Sequence, residues 1–405
     1  MTGASLGGGL PGSTTLGAFT SGQLRRLGAV AGLSETDLDT YARLLTDSLG
    51  DESDRSLALP PPNRTFLSDD HTPVEFSLSF QPGAAPALRV LLEPGCGADS
   101  LAHNGRVGYE TVRAMAKRWN FGTGPLDAVR DLFLPRSPQG PLALWCALEL
   151  RPGGVPKVKV YLNPAASGAE GGAGAGGGGA VRPGGPRGGA PPPPPPPGAP
   201  APAAPGPEAL YRLGHRKAFA TLPAADGYPF VALDLGDWDE PRVKVYLRHD
   251  DLTAGRAGLL SRMDPSPHPA TIEDFFLTAA GAATRVARLD GRPGLTCHSF
   301  TDTGSARPSG FTLHIPVRDY ARHDGEALAR GVSVLRRYGV DSPVLGRALA
   351  AVTGRRPEDG VGLIAYLALA HQRDRAPRVT AYLSSEAYAV RPPAAREVRD
   401  AVGAR

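Results

Sequence analysis

The sequence predicts an α+β fold: ten antiparallel β-strands closed into a barrel with a polar interior, surrounded by helices. Three observations lead to it. Segments of strand length come in five pairs, each joined by a short turn. Stretches of helical periodicity lie before and between the pairs. The second strand of each pair repeats one alternation: Arg89-Val90-Leu91-Leu92, Lys159-Val160-Tyr161-Leu162, Lys244-Val245-Tyr246-Leu247, Thr312-Leu313-His314-Ile315 and Thr380-Ala381-Tyr382-Leu383. Successive side chains on a strand point to opposite faces, so cations and tyrosines share one face and Val, Leu and Ile the other.

For one copy alone, a solvated strand face explains the polar set. The repetition points to a surface that holds an anion beside an aromatic wall. The apolar face needs cover, and the amphipathic helices supply it. Closing the sheet with the polar face inward satisfies both faces and removes edge strands. Two separate sandwiches are the competing fold, but they would need apolar residues where Glu75, Lys159 and Lys244 stand.

Taken in order, residues 1–21 read as a flexible leader. Leu24, Leu27, Val30, Leu33, Leu38, Leu44 and Leu45 recur at helical spacing, with Ser34 and Asp37 set as a capping box. Prolines 60–62 break the chain before the first strand pair, Val74–Phe80 and Ala87–Pro94. Helices fit 99–119 and 124–134, followed by the pair Leu142–Leu150 and Lys157–Asn163. Residues 165–206 form a Gly/Ala/Pro-rich insertion with seven consecutive prolines, Pro191–Pro197. Such a segment builds no core and is expected to be disordered. It could dock an SH3-like partner, although a tolerated surface loop is the simpler reading. Helix returns at Pro207–Leu222, then the pair Tyr228–Leu235 and Arg242–Arg248. Helices fit 253–263 and 271–281, the fourth pair is Leu295–Thr301 and Phe311–Val317, and helices fit Gly325–Tyr338 and Pro343–Thr353. The fifth pair is Val361–Gln372 and Arg378–Ser384. One barrel domain is therefore expected over 22–390, with a C-terminal tail at 391–405.

Composition narrows the function. The 405 residues carry 44 basic and 40 acidic side chains, a net charge of +4, without a basic block of the kind that binds nucleic acid. The 3 cysteines, Cys96, Cys146 and Cys297, are dispersed and form no CxxC, which argues against a disulfide framework or zinc cluster and fits a reducing cytoplasm. Neither a signal peptide nor a bilayer-spanning run is evident.

Asp69-Asp70-His71-Thr72-Pro73-Val74-Glu75, the strand from Lys159 to Pro164, and Arg242-Val243-Lys244-Val245-Tyr246 together resemble the dimethylallyltryptophan synthase family of aromatic (indole) prenyltransferases, bacterial type. The resemblance runs from about Leu24 to Tyr388 and rests on the order and spacing of these motifs. It implies αββα repeats that build the prenyltransferase barrel. It also implies transfer of a dimethylallyl group from dimethylallyl diphosphate to the indole ring of L-tryptophan or a tryptophan-derived compound, by electrophilic aromatic substitution.

That chemistry needs a neutralised diphosphate, a shielded allylic cation and an electron-rich ring. A DDxxD motif that would carry Mg²⁺ is lacking: Asp69-Asp70 runs into His71 and Asp250-Asp251 into Leu252. No metal or other cofactor is therefore expected, and neutralisation falls to Arg89, Lys159, Arg242, Lys244 and Arg378, with Lys157 on the same face. The resemblance puts the first four on the family's diphosphate positions. It gives Tyr161, Tyr246 and Tyr382 the role of cation shield, with cation–π attraction and exclusion of water as the physical means.

Glu75 faces inward with Ser77 and Ser79, and a buried carboxylate needs a donor. A salt bridge is the plain structural reading; the resemblance makes Glu75 the acceptor of the indole N–H. The main chain of Phe66 and Leu67 matches the segment that contacts the acceptor's carboxylate in relatives. His314 stands where the repeat and the family have Tyr, and is expected to be neutral or hydrogen-bonded to diphosphate. Thr312 replaces a larger amide. The family's lysine in the first strand of the second pair is missing from Leu142–Leu150, which leaves Glu75, His314 or water to take the ring proton. Two alternatives stay open: a phenol or tyrosine acceptor, or a non-catalytic barrel that binds an anionic aromatic ligand. Small molecules are the expected partners, with no nucleic acid or membrane, for a monomer or homodimer.

Overall fold

The computed structural model describes residues 14–167, 205–340 and 343–394. Ten strands run β1 Val74–Phe80, β2 Ala87–Leu92, β3 Leu144–Glu149, β4 Lys157–Leu162, β5 Gly227–Leu235, β6 Val243–His249, β7 Gly294–Phe300, β8 Gly310–Ile315, β9 Ile364–Gln372 and β10 Arg375–Ser384. Each pairs antiparallel with its sequence neighbours, and β1 pairs with β10 to close the barrel.

The register sorts the two faces. Ser77 of β1 stands opposite Arg89 on one side and Tyr382 on the other, and directly opposed residues share a face. That face turns inward. The outward set, including Phe76, Leu78, Val90, Val158, Val160, Leu162 and Leu313, is fully buried beneath the helices. The barrel thus places its main hydrophobic core outside the sheet, between strands and helices.

The helical cover starts with an antiparallel pair, Leu16–Val30 and Glu35–Leu49. Gly28 lets them cross closely, since a Cβ there would lie 2.2 Å from Leu38 Cδ2. Ser34 and Asp37 form the expected capping box. Helices Leu101–Trp119, Pro269–Ala280, Asp324–Arg337 and Pro343–Val352 continue the ring. Its two ends meet where Gln23 Nε2 donates to Val352 O at 3.1 Å and Ser385 O at 2.8 Å.

Several boundaries differ from expectation. The leader does not reach residue 21: helix begins at Leu16, capped by Thr15, with Leu16 and Thr20 fully buried. The 124–134 helix is two single turns, Gly124–Asp127 and Arg130–Phe133. The helix expected over 207–222 spans Pro205–Arg212; it stops at Gly214, whose φ of +86° an L residue rarely adopts. The helix over 253–263 shrinks to Ala254–Gly258, with Pro265 and Pro267 preventing its return. The expected insertion yields Ala165–Ser167 as an ordered turn and its last two residues to a helix; 168–204, with the proline run, lie outside the described residues, as do 1–13 and 395–405. Arg391 of the expected tail pairs with Asp319 at 2.9 Å.

The face assignment makes a stability prediction. Phe76→Ala, on the fully buried outer face, is expected to cost about 3–5 kcal/mol. Ser77→Ala, one residue on but inward, is expected to stay within about 0.5 kcal/mol. Denaturant midpoints of the two variants check this; equal losses would contradict the outward core.

Candidate active site

The inward face has a charged mouth and an aromatic chamber. At the mouth, Arg89 Nε and Nη2 donate to Glu149 Oε2 at 2.8 and 2.6 Å across the β2–β3 pair. Burial pushes the Glu149 carboxyl up, but Arg89 outweighs it and holds the group down at about 2. Lys159 Nζ lies 3.5 Å from Asp234 Oδ1, and Arg242 Nε donates to Asp234 Oδ2 at 2.7 Å. The Asp234 side chain is 0% exposed. Burial raises its pKa, and the charges of Lys159, Lys244 and Arg242 outweigh that and keep it ionised.

Trp238, from the β5–β6 turn, roofs this cluster. Its ring centroid lies 5.1 Å from Lys157 Nζ, 5.0 Å from Lys159 Nζ and 5.0 Å from Arg242 Cζ. Its indole N–H donates to Val158 O at 2.7 Å, which fixes the ring. Lys157 pairs at 3.4 Å with the exposed Asp239.

Two cations have little compensation. Burial, then Lys159 and Arg242, pull the Lys244 ammonium well below its ordinary pKa. Burial, then Arg89, lowers Arg378 to about 9, and its Nε has no hydrogen-bond partner. Among the described lining residues, Arg89, Lys157, Lys159, Arg242, Lys244, Arg375 and Arg378 face only Glu149, Asp234, Asp239 and Glu240 at this end. The mouth has a positive surplus and room, ≈ 200 Å³, for an anion.

Arg89, Glu149, Trp238 and Arg378 line both the mouth and the chamber below it, so the two are continuous. A belt of rings surrounds the chamber, with Tyr161, Tyr246, His314 and Tyr382 on its lining. Trp145 meets Phe230 at 5.3 Å, Phe230 meets Tyr246 at 5.8 Å, and Tyr246 meets Tyr161 at 5.7 Å. The belt continues from Tyr246 to His314 at 5.9 Å, to Tyr382 at 5.8 Å and to Tyr366 at 6.3 Å. Ala147, Ala370 and Cys297 keep the space between them open. His314 Nε2 lies 3.3 Å from the Tyr382 hydroxyl. Burial lowers its pKa to about 4, so the ring is neutral near pH 7.

Glu75 lines the same chamber from the start of β1. Among the described residues no protein donor hydrogen-bonds its carboxylate. Burial raises its pKa to about 7, with the Arg318 charge the largest opposing influence. A carboxylate left without a donor inside a barrel is suited to receive one from a ligand.

No protein-family model matches the chain. It is similar to the 5-dimethylallyl tryptophan synthase from Streptomyces coelicolor, solved in complex with DMASPP and Trp, at 64% identity over 95% of this chain and 99% of that one, with a TM-score of 0.83. The chain belongs to the dimethylallyltryptophan synthase family. Prenyltransferase PriB, solved as a ternary complex with L-tryptophan and dimethylallyl thiolodiphosphate, is another similar member, at 57% identity over 94% of this chain and 99% of that one, TM-score 0.85. The 6-dimethylallyltryptophan synthase from Micromonospora olivasterospora, in complex with DMASPP and Trp, shares 36% identity over 94% and 100%, TM-score 0.78.

Within this family member, Arg89, Lys159, Lys244, Arg378, Tyr161, Tyr246, Tyr382, His314 and Glu75 all line the chamber, and Arg242 lines the mouth. Phe66 and Leu67 do not line it. The Phe66 side chain is exposed, Leu67 is buried beside Trp145, and the Leu67 amide already donates to Thr65 Oγ1 at 3.1 Å. Sequence reasoning missed Asp234, Glu149, Trp238, Trp145 and Phe230. Alternation in Tyr228–Leu235 placed Phe230, Ala232 and Asp234 on one face, which was the available signal for two of them. Among the described residues no helix is long and apolar enough to cross a membrane, and no group of three His, Cys, Asp or Glu is placed to hold a metal ion.

The buried Asp234 gives a prediction. Asp234→Asn leaves Lys159, Arg242 and Lys244 uncompensated, and breaking such a buried pair costs about 3–5 kcal/mol. Melting temperature is expected to fall and to be regained in part on adding inorganic diphosphate, more than in the wild type. Equal diphosphate shifts in both proteins would contradict the role of Asp234 as internal counter-charge.

Proposed function

We propose that this chain transfers the dimethylallyl group of dimethylallyl diphosphate to the indole ring of L-tryptophan or a tryptophan-derived compound. The observation that carries the proposal is the continuity of a cation-rich mouth with an aromatic chamber that holds a donor-less carboxylate. A thiolodiphosphate and tryptophan, the ligands named for the similar proteins, have the chemistry that a cation-rich mouth and an aromatic chamber would take.

In this reading, Arg89, Lys159, Arg242, Lys244 and Arg378 bind the diphosphate through charge-assisted hydrogen bonds. They stabilise the negative charge that develops as the allylic C–O bond breaks and diphosphate leaves. No metal is needed for that step, because the side chains supply the neutralising charge. Tyr161, Tyr246 and Tyr382 face the allylic cation, each ring contributing about 0.5–2 kcal/mol, and exclude water that would quench it. Glu75 accepts the indole N–H, orients the ring and raises its electron density. An aromatic carbon then bonds to the dimethylallyl carbon, and the ring proton leaves to a base. His314, neutral and at the chamber wall, and Glu75 are the assigned candidates for that proton. Phe66 and Leu67 contribute main-chain contacts to the acceptor's carboxylate, which requires the Leu67 amide to exchange its Thr65 partner for the ligand. The barrel, together with the helical shell that begins at Leu16, is the catalytic domain. Free Cys96, Cys146 and Cys297 suit a reducing cytoplasm.

The test is incubation with dimethylallyl diphosphate and L-tryptophan in EDTA. Prenylated tryptophan is expected; the absence of product, with product restored by Mg²⁺, would overturn the metal-free step, and no product with any indole would overturn the reading. Glu75→Ala is expected to abolish turnover while retaining diphosphate binding by calorimetry. The pH profile gives a third check. Glu75 must be ionised to accept the N–H, and its pKa is about 7, so kcat/KM should rise with pH through that region. Glu75→Gln should remove this limb; an identical rising limb in the variant would assign it elsewhere.

A further inference from the structure

Among the described residues, Cys297 is the one cysteine that lines the chamber. It stands in β7 directly opposite Tyr246 of β6 and Thr312 of β8, and directly opposed residues share a face. It packs with Tyr246 and Ala232, with Tyr161 and Phe230 against them. Two of the three tyrosines assigned to shield the allylic cation therefore share one cluster with a free thiol. The other cysteines lie outside the barrel interior. Cys146 opposes Val160 on the outward face, and Cys96 belongs to the outer core. Burial pushes both of their thiols up, that of Cys146 to about 12.

Lys244 marks where the reacting bond would lie. It precedes Tyr246 by two residues on the same strand, so both side chains point inward. It is 8% exposed and lines the chamber. Asp234 takes Lys159 at 3.5 Å and Arg242 at 2.7 Å, and among the described residues no carboxylate ion-pairs with Lys244. A buried ammonium without an ion pair is suited to an incoming anion. With diphosphate on Lys244, the allylic carbon would fall next along the strand, beside Tyr246 and so beside Cys297. Cysteine sulfur is intrinsically a strong nucleophile. The competing imidazole at this level, His314, has its Nε2 3.3 Å from the Tyr382 hydroxyl.

We propose that Cys297 is a self-prenylation site, whose sulfur captures the dimethylallyl cation when no acceptor fills the chamber. The C–O bond of dimethylallyl diphosphate breaks, and its electron pair leaves with diphosphate. Cys297 Sγ bonds to the allylic carbon, and the thiol proton passes to the departing diphosphate. The thioether then occupies the chamber and blocks further turnover by that chain. A bound acceptor prevents the reaction by taking the cation first. The site rests on the dimethylallyl-transfer reading above and goes beyond it.

The experiment incubates the wild-type protein with dimethylallyl diphosphate and no acceptor, follows intact mass with time, and maps any adduct by proteolysis. The mass is expected to rise by one dimethylallyl group in place of the thiol hydrogen, on the peptide that carries Cys297 and not on those with Cys96 or Cys146. Saturating L-tryptophan should suppress the adduct. Dimethylallyl thiolodiphosphate, whose carbon–sulfur bond resists ionisation, should not form it. Activity measured afterwards should be lost in proportion to the fraction of chains modified. C297A should gain no mass, and mapping on the wild type decides the matter alone if C297A does not fold. Prenylated tryptophan from a protein that gains no adduct, or gains it elsewhere, overturns the Cys297 site and leaves the transfer reading standing. An adduct on Cys297 that L-tryptophan does not reduce, or that the thiolodiphosphate forms equally well, also overturns it. Neither a prenylated acceptor of any kind nor an adduct overturns the transfer reading and the Cys297 site with it.

Discussion

Asp234 sits fully buried between Lys159 and Arg242, with Lys244 close by. Packing like charges into a barrel interior is unfavourable, and one carboxylate does not offset it all. Trp238 spreads its π face across two of the same cations, Lys159 and Arg242, and across Lys157, and Glu149 takes Arg89. These contacts offset part of the repulsion among the clustered cations. They also leave Lys244 with a depressed pKa and Arg378 with an unused donor. The remaining charge surplus is what an incoming anion would relieve, so internal compensation and ligand binding are two settings of one balance.

The balance is possible because the barrel is built inside out relative to a small filled barrel. Apolar Phe76, Val90, Val158 and Leu313 point outward into the helical shell, and that shell carries the main hydrophobic stabilisation. The interior is then free to hold charges, rings and space. Period-two alternation gives each strand both tasks at once. The polarity gradient along the axis follows from position within strands: cations gather at the end near Arg89, Arg242 and Arg378, and Glu75 occupies the other.

Much of this was legible from alternation alone. Glu75 stood out as the acid of its strand, and Lys159, Lys244, Tyr161, Tyr246 and Tyr382 fell on one face because a one-residue shift would have buried them among helices. The departure at His314 was visible for the same reason, and its neutral state follows from burial. Other parts were hidden because they depend on register or on irregular backbone. Arg89 meets Glu149, and Lys159 meets Asp234, only through cross-strand pairing. Trp238 lies in a turn after its strand ends, where no period predicts direction. Phe66 and Leu67 were placed by motif, yet the local Thr65 contact that occupies the Leu67 amide is a tertiary detail.

The central claim is that side-chain cations alone hold the diphosphate. Calorimetric titration of inorganic diphosphate into the wild-type protein in EDTA tests it most directly. The account predicts saturable one-site binding that weakens about tenfold or more in Lys244→Met and in Arg378→Met, since each removes a charge-assisted hydrogen bond of about 1.5–3 kcal/mol. Binding that is absent in EDTA and appears only with Mg²⁺, or that is indifferent to both substitutions, would contradict it.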